Sequence, residues 1–192
     1  MRRGLILAAA LALAACGPGD AGWHAKQVTG LLPDLEFRMT AANGGAVSAA
    51  DYRGKVVLLF FGYTNCPDVC PTTLARLAAA RAAMRERRDA VQVLFVTVDP
   101  ARDSLARLAE YVPAFGPGMA GLRGDEDAIE ALTRRYRVSY TRDKPDAHGD
   151  YAVSHSGGVF VFDGKGRARL LVRPDDAAPG IAADLERLSA GG

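Results

Sequence analysis

Apolar positions along the chain fall into two kinds of block: short continuous runs, and stretches with a period of three to four residues. Val56 to Phe61 (VVLLFF), flanked by Gly54 and Gly62, has the length and β-forming composition of a strand buried on both faces. Val91 to Val98, ended by Asp99-Pro100, predicts a second. Between them Leu74, Leu77, Ala78 and Ala82 recur at helical spacing over Pro71 to Arg88, and Pro71 suits a first helical position. Ser104 to Tyr111 and Asp125 to Tyr136 also read as helices, the second opening on acidic residues that favour a helix N-terminus. Leu35 to Met39 alternates apolar with polar, as a half-buried strand does, and Asn43-Gly44-Gly45 marks a turn. Gly158 to Asp163 and Arg167 to Val172, joined by Asp163-Gly164-Lys165-Gly166, predict a hairpin, followed by a helix from Ala178 to Leu188. Strands alternating with helices before a final hairpin and helix indicate an α/β domain with a central, mostly buried sheet.

The first residues do not belong to that pattern. Met1-Arg2-Arg3-Gly4 precedes an apolar run from Leu5 to Ala15, too short for the ~20 residues of a membrane-spanning helix. A basic start, a short apolar stretch and small residues describe an export signal over residues 1–15. Its end, Leu13-Ala14-Ala15-Cys16, resembles a bacterial lipobox, which implies lipidation of Cys16 as the new N-terminus. Residues 16–30 then read as a flexible tether and 31–192 as the folded domain. The expected location is the periplasmic face of a bacterial membrane, held by acyl chains.

The 192 residues allow one domain of ordinary size. Loss of Arg2 and Arg3 from the 24 basic residues would balance the 22 acidic ones, so no charge excess argues for nucleic acid. Three cysteines are too few for a disulfide scaffold, and with Cys16 acylated only Cys66 and Cys70 remain as thiols. They stand in Tyr63-Thr64-Asn65-Cys66-Pro67-Asp68-Val69-Cys70-Pro71, between the first buried strand and the first long helix. Thioredoxin-like folds carry a cysteine pair at that place. The spacing is one residue longer than that of thiol–disulfide exchangers.

On a regular helix, residues four apart have Cβ atoms ~5–6 Å apart, against ~3.5–4.5 Å in a disulfide. Because Pro71 disfavours helical geometry in the residue before it, both cysteines are expected in the loop feeding the helix. The helix dipole lowers thiol pKa values there. Three readings stay open: a structural disulfide, a redox dithiol, and a metal site needing a further donor. Of the three histidines, His24 falls in the tether and His148 in a polar loop. His155, in Val153-Ser154-His155-Ser156, leads into an apolar strand and would lie beside the cysteine loop in such a fold. Two thiolates and an imidazole suit copper, Cu(I) above all. Zinc would want a fourth ligand, which Asp68 or Asp99 would have to supply.

Taken in order, Gly62 to Pro71, Val98-Asp99-Pro100-Ala101-Arg102-Asp103, and Tyr151 to Ser156 resemble the Sco/SenC family of thioredoxin-like copper proteins. The resemblance runs from about Leu32 to the last helix. It implies copper ligation by Cys66, Cys70 and His155, with Asp68 and Asp99 as neighbours of the ligands rather than ligands. It further implies a membrane-anchored chaperone, without turnover of its own, that serves the CuA centre of cytochrome c oxidase. The partner would be the CuA-bearing subunit or another copper chaperone. A rival reading is a thiol–disulfide oxidoreductase using the Cys66–Cys70 pair on a partner's cysteines, and a third is a peroxidase with one low-pKa cysteine. Gly157-Gly158 departs from the Ser or Thr expected there and gives the backbone after His155 more freedom.

Overall fold

The computed structural model describes residues 22–148 and 150–191; Cys16 and the export signal lie outside the described residues. The strands are β1 (Lys26–Gln27), β2 (Arg38–Ala41), β3 (Ala46–Ser48), β4 (Val56–Gly62), β5 (Val91–Thr97), β6 (Met119–Arg123), β7 (Tyr140–Arg142), β8 (Val153–His155), β9 (Val159–Phe162) and β10 (Ala168–Val172). The helices are α1 (Val69–Ala83), α2 (Leu105–Tyr111), α3 (Glu126–Arg135) and α4 (Ala178–Ala190). Eight strands form one mixed sheet in the order β1-β10-β9-β4-β5-β6-β2-β3, and β7 and β8 make a separate ribbon. β4, β5 and β6 run parallel, and β9 lies antiparallel to β4. The expected α/β class, a thioredoxin-like central sheet flanked by helices with a C-terminal hairpin and helix, is the one observed.

The two apolar runs are the centre of the sheet. Every residue of β4 is buried, and Phe60 and Phe95 face each other across the β4–β5 pair. On the neighbouring face Phe61 packs edge-on against Phe160, and Tyr136, just past α3, lies against Phe160 and Phe162. Burying side chains of this size stabilises by about 1.5–3 kcal/mol each, so this double-sided centre fixes the direction in which β4 ends. Among the described residues no helix is long and apolar enough to cross a membrane.

Several expectations shift. Residues Leu35 to Met39 do alternate in burial, but strand pairing begins only at Arg38 with β3 and at Thr40 with β6. The helix expected to run to Arg88 ends at Ala83 and continues as a 3-10 turn over Arg85–Ala90. Of the arginines along it, one is drawn into the fold. Arg81 is buried and donates to the carbonyls of Val91 and Pro117 and to Asp89. The tether expected over 16–30 is also shorter: from Gly22 the chain is built into the domain. The N–H groups of His24 and Ala25 donate to buried Asp184, and β1 extends the sheet beside β10. Ala25 and Val28 are the buried apolar residues that hold it there.

Candidate metal centre

β4 ends at Gly62, whose carbonyl accepts from Val98 N–H at 2.8 Å. The chain then turns through Tyr63 to Asp68 and enters α1. Gly62 admits no side chain: a Cβ there would lie 2.7 Å from both the Cys70 sulfur and a Phe95 ring carbon. Cys70 is the second residue of α1 and fully buried, a correction to the loop placement of both cysteines. Pro71 is tolerated because first-turn N–H groups have no intrahelical acceptor. The Cys70 N–H instead donates to the Cys66 sulfur at 3.4 Å. Cys66 stays in the loop, half-buried, and both thiols are free.

These positions split the pair. Partial burial works against ionisation of Cys66, but the N–H groups of Asp68, Cys70 and Val69 aimed at its sulfur, with the Cys70 thiol, outweigh it. Its pKa falls below the ordinary thiol value. Burial pushes the Cys70 thiol far up, and the nearby charges of Cys66 and Asp103 add to this. The sequence predicts acidification of both cysteines by the helix; the structure reserves that effect for Cys66.

His155 ends β8 with its Nε2 3.3 Å from the Cys70 sulfur. Its Nδ1 lies 3.1 Å from the Ser156 carbonyl. A carbonyl can only accept, so Nδ1 carries the hydrogen and Nε2 presents its lone pair to the sulfur. Burial lowers the imidazole pKa, which keeps the ring neutral. Tyr63 and Phe60 hold the ring edge-on, each with centroids 6.0 Å away. The donor atoms of Cys66, Cys70 and His155 all lie within 4.8 Å of one another. Two donors bonded to one ion at ~2.3 Å can be at most about 4.6 Å apart, so small adjustments would close all three on one ion. A cleft of about 320 Å³ lined by Tyr63, Cys66, Pro67, Val69 and His155 opens onto the first and last of them, with Cys70 buried behind.

With this geometry in view, the comparisons are specific. A family model described as SCO1/SenC matches residues 30–190. The chain belongs to the SCO1/SenC family. It is 35% identical over 151 residues to the mitochondrial SCO2 homolog protein of Mus musculus, covering 75% of this chain and 59% of that one. The chain therefore spans little more than half the length of that relative. ScoI of Bradyrhizobium japonicum, solved with copper bound, is 37% identical with a TM-score of 0.74, over 81% of this chain and 98% of that one. Apo Sco1 of Thermus thermophilus, solved in solution, is 35% identical with a TM-score of 0.75, over 88% and 97%.

In this SCO1/SenC protein the two aspartates named from sequence stand outside the three-donor cluster. Asp68 is exposed, its carboxylate accepting from the Thr72 hydroxyl at 3.4 Å, and its backbone rather than its side chain serves Cys66. Asp99 is fully buried; it accepts from the Tyr151 hydroxyl at 2.6 Å and from Arg102 Nε at 2.6 Å. Arg102 also donates to the Tyr151 carbonyl and lies 3.6 Å above the Tyr151 ring. Asp99, Arg102 and Tyr151 thus clasp the segment leading to His155 onto the end of β5.

A second buried carboxylate was missed as a site residue. Asp103 accepts from the N–H and hydroxyl of Thr64, at 3.0 and 2.6 Å, and from the Thr97 hydroxyl at 2.6 Å. It pins the cysteine loop two residues before Cys66. Its only sequence signal is its place in Val98-Asp99-Pro100-Ala101-Arg102-Asp103, one of the stretches that carry the family resemblance. At Gly158 a Cβ would come within 2.9 Å of the end of the Leu171 side chain, which would have to shift to admit it.

Proposed function

We propose that Cys66, Cys70 and His155 hold a copper ion as cargo, and that the protein carries it to the CuA centre of cytochrome c oxidase or exchanges it with another copper chaperone. The observation that carries this is the Nε2 lone pair facing the Cys70 sulfur while Nδ1 is occupied by the Ser156 carbonyl. A soft donor set of two sulfurs and one imidazole nitrogen fits Cu(I), and the imidazole adds affinity for Cu(II). Binding by Cys70 requires loss of its thiol proton, which passes to solvent as the metal–sulfur bond forms, while Nε2 keeps its lone pair for the ion. An exposed cleft on one side of the sulfurs lets a partner's ligands approach, so the ion can be handed on. Acylation of Cys16 would keep the protein at the membrane carrying the oxidase.

The relative from Bradyrhizobium japonicum, solved with copper bound, supports the choice of metal. The test is anaerobic addition of Cu(I) to the reduced protein, with stoichiometry and X-ray absorption read together. One copper per chain with two sulfurs and one nitrogen is expected. His155→Ala should lower affinity by more than the ~10–100-fold typical of losing an outer partner of a ligand; full affinity in that variant would overturn the site.

A second reading draws on the unequal thiols. The Cys66 thiolate would attack a partner disulfide, forming a mixed disulfide and releasing one partner thiolate. Cys70, deprotonated, would then attack Cys66, release the second partner thiol and leave a Cys66–Cys70 disulfide, with two electrons passed to the partner. His155→Ala should leave this exchange largely intact, which separates it from copper binding.

A further inference from the structure

The pole opposite the metal centre carries a surface that copper handling does not use. Residues from Gly22 fold back along α4: the Gly22 carbonyl accepts from Arg187, and His24 and Ala25 donate to Asp184. This sets Trp23, the one tryptophan of the chain, against two guanidinium groups, Arg187 at 4.2 Å and Arg169 at 5.9 Å from the ring centre. A cleft of about 220 Å³ runs from the indole to the β9–β10 turn, lined by Trp23, Lys165, Arg167, Arg169, Arg187 and one acidic side chain, Asp163. Asp163 is buried and pairs with Arg167 and Arg169. Lys165 and Arg187 are exposed and form no ion pair among the described residues. The patch is therefore positive in a chain whose total charge is close to zero.

What meets this patch follows from its chemistry and its place in the chain. An indole beside basic side chains suits a bilayer interface, where the ring sits at headgroup depth and the charges meet anionic phosphates. Trp23 is seven residues from Cys16, and seven extended residues reach no more than about 25 Å. Any acyl anchor on Cys16 thus brings this patch, before any other part of the domain, to the membrane. We propose that Trp23, Lys165, Arg167, Arg169 and Arg187 form a docking surface for anionic phospholipid headgroups; the proposal rests on the reading of Cys16 as acylated. The turn between β9 and β10 follows Phe162, which pairs with Val57 at the start of β4, whereas the cysteine loop leaves the other end of β4. Seven strand residues at ~3.3 Å each separate the two ends by about 20 Å. A domain docked through the patch turns its cysteines and His155 away from the bilayer, toward a recipient site in the aqueous phase.

Because Trp23 is the sole tryptophan, its fluorescence reads the patch directly. The full chain is compared in vesicles of phosphatidylcholine alone and of phosphatidylcholine with phosphatidylglycerol. In the anionic vesicles the emission should shift to the blue and iodide quenching should fall about twofold. Salt at about 1 M, where the Debye length is ~3 Å, should reverse both. Lys165→Gln combined with Arg167→Gln, which leaves Arg187 against the indole, should abolish the difference between the two vesicle types. Equal emission and quenching in neutral and anionic vesicles, or a difference that survives the double substitution, overturns the proposal. Acylation is read separately from the mass of the N-terminal peptide. If it is absent, the same vesicles are used for co-sedimentation: selective pelleting with phosphatidylglycerol supports the surface, and equal pelleting overturns it. Copper stoichiometry is indifferent to every arm.

Discussion

Cys66 and Cys70 are four residues apart, yet their thiol pKa values shift in opposite directions, because one receives backbone N–H groups at the mouth of α1 and the other is sealed beneath it. The spacing and the helix start could be read from the chain, and so could a lowered thiol pKa. Which sulfur gains it could not, since burial of Cys70 depends on Phe95 and Gly62, side by side only in the folded sheet. His155 was likewise visible as a residue but not as a neighbour; it meets Cys70 across 85 positions. What holds it there lies still further from local pattern, in the clasp of Asp99, Arg102 and Tyr151. Tyr151→Phe removes one hydroxyl from a fully buried carboxylate, a loss of about 1–3 kcal/mol in stability, and loosens the segment before His155. Copper affinity should fall roughly 10-fold in competition with a chelator, while alkylation of Cys66 keeps its rate. Unchanged affinity would mean that Tyr63 and Phe60 position the ring without the clasp.

Elements with long apolar runs were readable because each is buried by its own composition: β4, β5, the final hairpin and the amphipathic α3. Elements that exist through pairing were not. β6 is only Met119–Arg123 with a glycine at its centre, and that Gly121 lies so near Leu108 of α2 that a Cβ would come within 3.0 Å. β7 and β8 are three residues each, and β1 is two, held by hydrogen bonds to residues far along the chain. The β4–α1 junction gives a direct test of element packing. Gly62→Ala drives a methyl into Cys70 and Phe95, so stability should drop by about 1–3 kcal/mol in denaturant melts, with weaker copper binding from displacement of the sulfur. Wild-type behaviour on both counts would show that α1 can slide away from β4.

The hairpin carries its own titration. Burial works against ionisation of Asp163, but donation from Arg167, side chain and backbone, and from Arg169 outweighs it and holds the carboxyl below its usual value. A carboxylate whose pKa is lower folded than unfolded stabilises the fold above the unfolded value of ~3.9, and that contribution fades as pH falls through the lower folded value. Asp163→Asn should therefore be less stable than wild type at neutral pH and lose less stability on acidification below about pH 4. Parallel stability curves for the two proteins from pH 6 down through the carboxylate range would show that the turn does not depend on this charge.

At the scale of the whole molecule, the alternation of strands and helices announced the sheet, but not that the segment around His24 packs against α4. His24 and Ala25 bond Asp184 some 160 positions away, which draws a segment that reads as linker into the domain. The candidate metal centre has the same long-range character: Cys66, Cys70 and His155 come from a loop, a helix and the ribbon strand β8. An ion bridging them would tie these parts of the chain together, and it would favour the folded state, where all three donors converge, over an unfolded chain. At a free concentration 100 times the dissociation constant such a ligand stabilises by about 2.7 kcal/mol. For a domain of this length each kcal/mol moves the midpoint by about 2–4 °C, so Cu(I) should raise Tm by roughly 5–10 °C. A Cu(I) chelator should return it to the starting value, and His155→Ala should show a much smaller rise. A thermal shift of equal size in that variant would mean that the stabilisation comes from copper held by the sulfurs alone, and that the fold does not need the imidazole to close the site.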